Sequence, residues 1–260
     1  MKSTNTLRIV CVIAMCISSA TALAQSQRED RVYIRDLEGI WMNQSYVEAL
    51  KSSRMPHKVA KKVAPALIAI KRQGRAYPYL ATDFDKAAFM MILALEPDNK
   101  PDSYRLVLGE KNEPTSAADV TYIWFKGQRD ADHKFRKLMF KEVFIMKGKW
   151  ADFEWVGMDL GPVMNGIVLA GRYKDEDGRE WVFSEEGTAK FPEKSFYYEL
   201  SINDKDARCE YLEAEDLQSP EGKSFYGYAW KQGKLQLFRA ETKNDRVRCD
   251  AKPFVVLTPQ

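Results

Sequence analysis

Chemistry has few side chains to draw on in this chain. His57 and His133 are the two histidines, and neither sits in a His-Glu-x-x-His, Cys-x-x-Cys or His-x-His cluster, so the spacing builds no zinc site. His57 reads as a residue that caps or lines a helix start. Asp175, Glu176 and Asp177 crowd in front of Gly178. They lack the spacing and distal glutamate of a calcium loop and read as a solvated hairpin tip. Asp83 and Asp85 would share a face in an extended segment, but with no partner for acid–base work they read as a turn between strands. Neither a Gly-x-Ser-x-Gly elbow nor a phosphate or dinucleotide glycine pattern occurs. No catalytic residue, metal ligand or cofactor is expected, and the chain reads as non-enzymatic.

The cysteines carry more information. Residues 1–24 have Lys2 and Arg8, an apolar run too short to span a bilayer, and small residues up to Ala24, which is the layout of a cleaved secretory signal. That segment holds Cys11 and Cys16. Cys209 and Cys249 remain, and in a periplasmic or secreted protein a disulfide between them is the expectation, worth about 4 kcal/mol for a loop of this size. A nucleophilic thiol is the rival reading, and neither cysteine has a histidine nearby in sequence. The leader also removes two of 40 Lys+Arg against 37 Asp+Glu, leaving a nearly neutral chain. Nothing then calls for nucleic acid as a partner, and no stable membrane span is expected after cleavage.

The elements that would position any site are strands. "GIWMN" reads as a first short strand. Ser45 and Glu48 form a Ser-x-x-Glu capping box that predicts a helix from Ser45 to near Pro56, and "HKVAKKVA" gives a second short helix ending at Pro65. Asn43-Gln44-Ser45 is a glycosylation sequon of interest only if the source glycosylates. Beyond Pro65, segments such as "ALIAIK", "AFMMILAL", "VTYIWF", "GIVLAGRY", "SFYYELSI" and "KLQLFRA" alternate or run apolar between Gly, Pro, Asn and Asp clusters. Asp177-Gly178 and Gln232-Gly233 supply the glycine of tight hairpins. Asp132–Trp150 fits either period, with its latter half read as strand. No repeat of fixed period is evident. The prediction is a mainly β, antiparallel barrel over residues 25–260.

Gly39-Ile40-Trp41 on the first strand of such a domain resembles the lipocalins within the calycin group, and two helices after that strand look like the lid of fatty-acid-binding proteins. The resemblance implies that Trp41 closes one barrel end, packed against an arginine near the end of the last strand, for which Arg239 is the candidate. A plain core role for Trp41 is the alternative. Tyr226, Tyr228 and Trp230 share one face of "SFYGYAW", and Tyr77, Tyr79 and Tyr198 add further rings with polar tips. Such rings suit an amphipathic ligand in a cavity, and equally a packed core.

These features point to an exported protein holding a small hydrophobic or amphipathic molecule. The alternative is an envelope interaction factor, an inhibitor or immunity protein, with a packed interior and a protein partner.

Overall fold

The computed structural model describes residues 32–63, 65–72, 78–82, 89–109, 120–130, 132, 134–142, 149–202, 209–216, 223–243 and 246–260. The leader, Tyr77, Asp83, Asp85, His133 and Phe144 lie outside them. Residues 32–36 belong to a small separate unit in which the Tyr33 amide donates to the Asp36 carboxylate at 2.8 Å. Everything from Leu37 to Gln260 forms one compact body.

Eight antiparallel strands close the first barrel: β1 (Gly39–Asn43), β2 (Leu67–Arg72), β3 (Pro78–Thr82), β4 (Phe89–Pro97), β5 (Ser103–Gly109), β6 (Val120–Lys126), β7 (Lys137–Glu142) and β8 (Trp150–Gly157). They form a meander sealed by β1 against β8. The chain then continues through β9 (Gly171–Lys174), β10 (Glu180–Phe183), β11 (Thr188–Lys190), β12 (Ser195–Leu200), β13 (Glu210–Asp216), β14 (Lys223–Lys231), β15 (Lys234–Lys243), β16 (Arg246–Cys249) and β17 (Val255–Pro259). These also close on themselves. β15 pairs with β14 on one side and with β16 then β17 on the other, and β17 returns to β9. Where the sequence suggested one barrel, the strands form two antiparallel rings in series.

Period-2 burial explains the walls. In the first ring Leu106, Leu108, Ile123, Phe125, Leu138 and Phe140 are buried on the lumen side while their neighbours face outward. β1 and the start of β2 are buried on both faces. Trp41, Ile68 and Ile70 fill the lumen, while Ile40, Met42, Leu67 and Ala69 pack with the second ring in one apolar cluster. That double burial is why "GIWM" and "ALIAI" are continuous apolar runs rather than alternating ones.

Both rings begin with the same device. Trp41 donates its indole N–H to the Leu37 carbonyl at 2.8 Å, and Tyr173 donates its hydroxyl to the Leu169 carbonyl. Leu37-x-Gly39-x-Trp41 and Leu169-x-Gly171-x-Tyr173 therefore share a spacing, and both glycines take positive φ, +130° and +152°. A fixed-period search misses this because the relation spans five residues and swaps one aromatic for another.

Several boundaries differ from the sequence reading. Helix α1 (Gln44–Ser53) is capped by Asn43, whose side chain accepts the Ser45 amide at 3.0 Å, so the Ser45/Glu48 capping box is not formed. Asn43 is buried and also donates to the Pro65 carbonyl, which withdraws the sequon from the surface. Pro56 opens rather than merely ends a helix, standing first in α2 (Pro56–Ala60). "GIVLAGRY" is not one strand: Asp159 caps α3 (Leu160–Val168), and β9 starts only at Gly171. The cap and the burial of Met164 and Val168, four apart, outweigh the β-branched residues. Within Asp132–Trp150 the strand is Lys137–Glu142, earlier than expected, with Leu138 and Phe140 inward.

Candidate functional site

The two ends of the second ring are built differently. At the closed end, Trp230 donates its indole N–H to the Val168 carbonyl of α3 at 3.1 Å and packs 6.2 Å from Tyr173. Arg54, at the C-cap of α1, lies 4.0 Å over the Trp230 ring. Tyr46 and Leu50 of α1 complete this floor. α2 is held there by Glu210, whose carboxylate accepts from the His57 and Lys58 amides and from His57 Nδ1. The helices thus cover the second ring, and they do so from the side of the first.

The opposite end is open. The β9–β10 turn, the residues after β11, the start of β14, the upper half of β15 and the approach to β17 surround a basin of about 820 Å³. Its wall is aromatic. Trp181 and Phe191 lie 4.3 Å apart, Tyr226 stands 5.7 Å from Phe191, and Phe254 lies 6.1 Å from Tyr226. Below them the lumen is packed, with Phe191 against Phe183 and Phe183 against both Tyr173 and Tyr198. The first ring is packed too: Trp41, Phe125, Phe140 and Phe153 are fully buried and in edge or tilted contact.

Charges on the basin rim are unequally committed. Arg179 pairs with Asp175 at 2.8 Å and Asp177 at 3.0 Å, and Lys223 pairs with Glu213 at 2.7 Å. Lys194 donates to the Tyr226 hydroxyl. Arg239 makes no ion pair among the described residues. It sits opposite Tyr226 on the ladder, so both side chains leave the same face of the sheet. Glu193 and Glu241 also reach the rim. Asp175 is not the solvated tip residue expected: its carboxylate is buried and accepts from the Asp177 and Arg179 amides, Arg179 Nε and Trp181 Nε1. Burial alone would raise its pKa, but the bonds from Trp181 and Arg179 outweigh it and hold the carboxyl below the usual range.

The sequence-derived aromatic set disperses. Tyr226 joins Arg239 at the basin. Tyr198 is inside the lumen, donating to the Ser184 carbonyl at 2.7 Å, and burial raises its pKa. Tyr228 is also internal, opposite Glu210, with its pKa pushed up by burial. Trp230 belongs to the closed end. Tyr79 is on the face of β3 away from buried Leu80. Gly39 and Trp41 are on β1 of the first ring, whereas Arg239, the arginine sought for Trp41, is on β15 of the second; arginine–indole contacts are made instead by Arg54 over Trp230 and by Arg136 over Trp155, the residue opposite Trp41 on β8. Cys209 and Cys249 form the expected disulfide, with Cα atoms 6.3 Å apart. Sequence reasoning missed Trp181, Phe191 and Phe254. The alternation of "EWVF" puts Trp181 and Phe183 on one face, but Phe191 and Phe254 stand in connections, where no period marks them.

Among the described residues no group of three or more His, Cys, Asp or Glu side chains converges to hold a metal, and no helix is long and apolar enough to cross a membrane. The fold defines a mainly β protein of closed, antiparallel eight-stranded barrels, compatible with a calycin-like architecture. No family model, curated protein or solved structure matches the chain.

Proposed function

We propose that the chain is an exported binding protein of lipocalin-like type that seats a small apolar or amphipathic ligand at the open mouth of its second ring. The observation that carries this is the basin itself. Five aromatic residues, Trp181, Phe191, Phe225, Tyr226 and Phe254, line a recess of about 820 Å³, and opposite Tyr226 stands Arg239, with no ion pair among the described residues. The rings share the recess with charged and hydroxyl side chains such as Lys194, Arg239, Glu241 and Thr242, a mixed lining that suits an amphipathic molecule, and its volume lies in the usual range of ligand pockets, about 300–1,000 Å³. The ligand sits above the aromatic column rather than in a hollow lumen, so it contacts Trp181, Tyr226 and Phe254 and leaves one end in solvent.

The second reading, an envelope protein-interaction factor, is favoured by the packed interiors of both rings. Denaturing mass spectrometry of an organic extract of the purified protein separates the two. A lipid-like molecule in stoichiometric amount supports the basin reading. A clean extract together with stoichiometric capture of one protein from envelope fractions supports the other.

A further inference from the structure

The basin rim of the second ring carries more positive charge than its carboxylates take up. Its cations are Arg179, Lys194, Lys223 and Arg239, and its carboxylates are Glu193 and Glu241. Arg179 is taken by Asp175 and Asp177, and Lys223 by Glu213. The bond to Asp175 holds the Arg179 guanidinium above its ordinary pKa, and the charges of Asp177 and Glu193 add to that, so Glu193 acts on Arg179. Glu241 lies directly opposite Arg248 on β16. Lys194 and Arg239 are left with no carboxylate in ion-pair contact among the described residues. Both converge on one ring. Lys194 donates to the Tyr226 hydroxyl, and its ammonium lies 5.1 Å from the Tyr226 ring centre. Arg239 is opposite Tyr226 on the ladder, so the two side chains leave the same face. Having accepted from Lys194, the Tyr226 hydroxyl keeps its own proton to donate, and the ammonium keeps two further N–H bonds. Apolar surface adjoins these donors: Phe254 lies 6.1 Å from Tyr226 and 6.4 Å from Trp181.

We infer that the ligand of this basin is an anionic amphiphile, its charged head held between Lys194 and Arg239 beside Tyr226 and its apolar body laid against Phe254 and Trp181. Resting on the basin reading, this narrows the ligand to one sign of head group. An anionic head supplies the acceptors that no carboxylate of the fold provides there, through charge-assisted hydrogen bonds from ammonium and guanidinium. A cationic head would meet two like charges, and an uncharged head would leave both without a counter-charge. The aromatic surface beside the charges requires an apolar body as well, which a free inorganic anion lacks.

Fluorescence titration of the whole protein with dansylaminoundecanoic acid and with its methyl ester tests this, since the ester lacks the acid's charge. The acid should bind about tenfold more tightly than the ester or better, a preference that added salt reduces. In Lys194→Gln/Arg239→Gln the preference should fall to about twofold or less. Both positions are exposed, and circular dichroism checks that the double variant folds. Decanoate should displace the bound acid where acetate at the same concentration does not. An acid that binds no more tightly than the ester, or a preference that the double variant retains, overturns the inference and leaves the basin reading standing. Equal displacement by acetate also overturns it, reducing the site to one for free anions. Binding of neither probe overturns the inference and the basin reading together.

Discussion

Glu210 holds His57 across the sequence by a 2.8 Å contact from its carboxylate to Nδ1, and the same carboxylate accepts the amides of His57 and Lys58. One side chain of β13 therefore serves as the cap that α2 lacks locally, since Met55 offers no side-chain bond. Both groups are buried, so removing one partner strands the other. Glu210→Ala should destabilise the protein by about 3 kcal/mol or more in urea unfolding. Hydrogen exchange should accelerate at the amides of residues 57 and 58. A variant with wild-type exchange there would show that α2 is held by packing alone.

Gly39 is constrained twice. Its φ of +130° disfavours any side chain, and a Cβ there would come within 2.3 Å of Trp155 Nε1, which donates to the Glu38 carbonyl. Gly39→Ala should cost about 3 kcal/mol or more, combining backbone strain with overpacking. Gly178 is a turn glycine, and a Cβ added there would meet nothing within 4 Å. Gly178→Ala should therefore lose only the φ contribution, about 1 kcal/mol. Thermal unfolding of the two variants checks the order.

The disulfide crosses the outer face of β14, where a Cβ on Gly227 would stand 2.2 Å from Cys249 Sγ. Alkylation without reductant should leave the Cys209 and Cys249 peptides unlabelled. The Cys209→Ser/Cys249→Ser variant should lose about 4 kcal/mol. Gly227→Ala should be costly in the wild type and less so beside Cys249→Ala. Equal costs in the two backgrounds would place the clash elsewhere.

Two groups give the second ring opposite pH limits. The Asp175 carboxyl is held low in the folded state, so its contribution is present above about pH 4 and lost as pH falls through the lowered value. Acid titration followed by Trp181 fluorescence should show a transition that Asp175→Asn removes. The Tyr173 hydroxyl is pushed up to about 12 by burial. Its contribution is complete below the ordinary value near 10 and lost as pH rises through 12. Tyrosinate absorbance should lose one late-titrating group, the one near pH 12, in Tyr173→Phe, while the raised Tyr198 and Tyr228 hydroxyls remain.

How much of this was legible in the sequence varies with the physics involved. Strands such as "VTYIWF" and "SFYYEL" were readable because one face is wet and alternation survives. The ring count was not, because a meander that closes and restarts has the same local pattern as one that continues. α3 was hidden because its apolar content sits directly before β9 and reads as one strand. Of the expected ligand-binding aromatics, Tyr226 reaches the basin because it lies near the open end of β14. Tyr228 and Trp230, two and four residues on, share its face but lie deeper in the barrel. Arg239, the candidate for a contact with Trp41, lies instead at the basin, a placement that only strand pairing reveals.

The central claim, that the mouth of the second ring binds amphipathic ligands, is tested most directly by titrating the protein with 1-anilinonaphthalene-8-sulfonate alongside Phe254→Glu. Phe254 is 40% exposed, so the charge enters the basin without emptying the core. Saturable one-site fluorescence enhancement in the wild type, lost in the variant, is the predicted result. No enhancement, or enhancement that Phe254→Glu leaves unchanged, would contradict it.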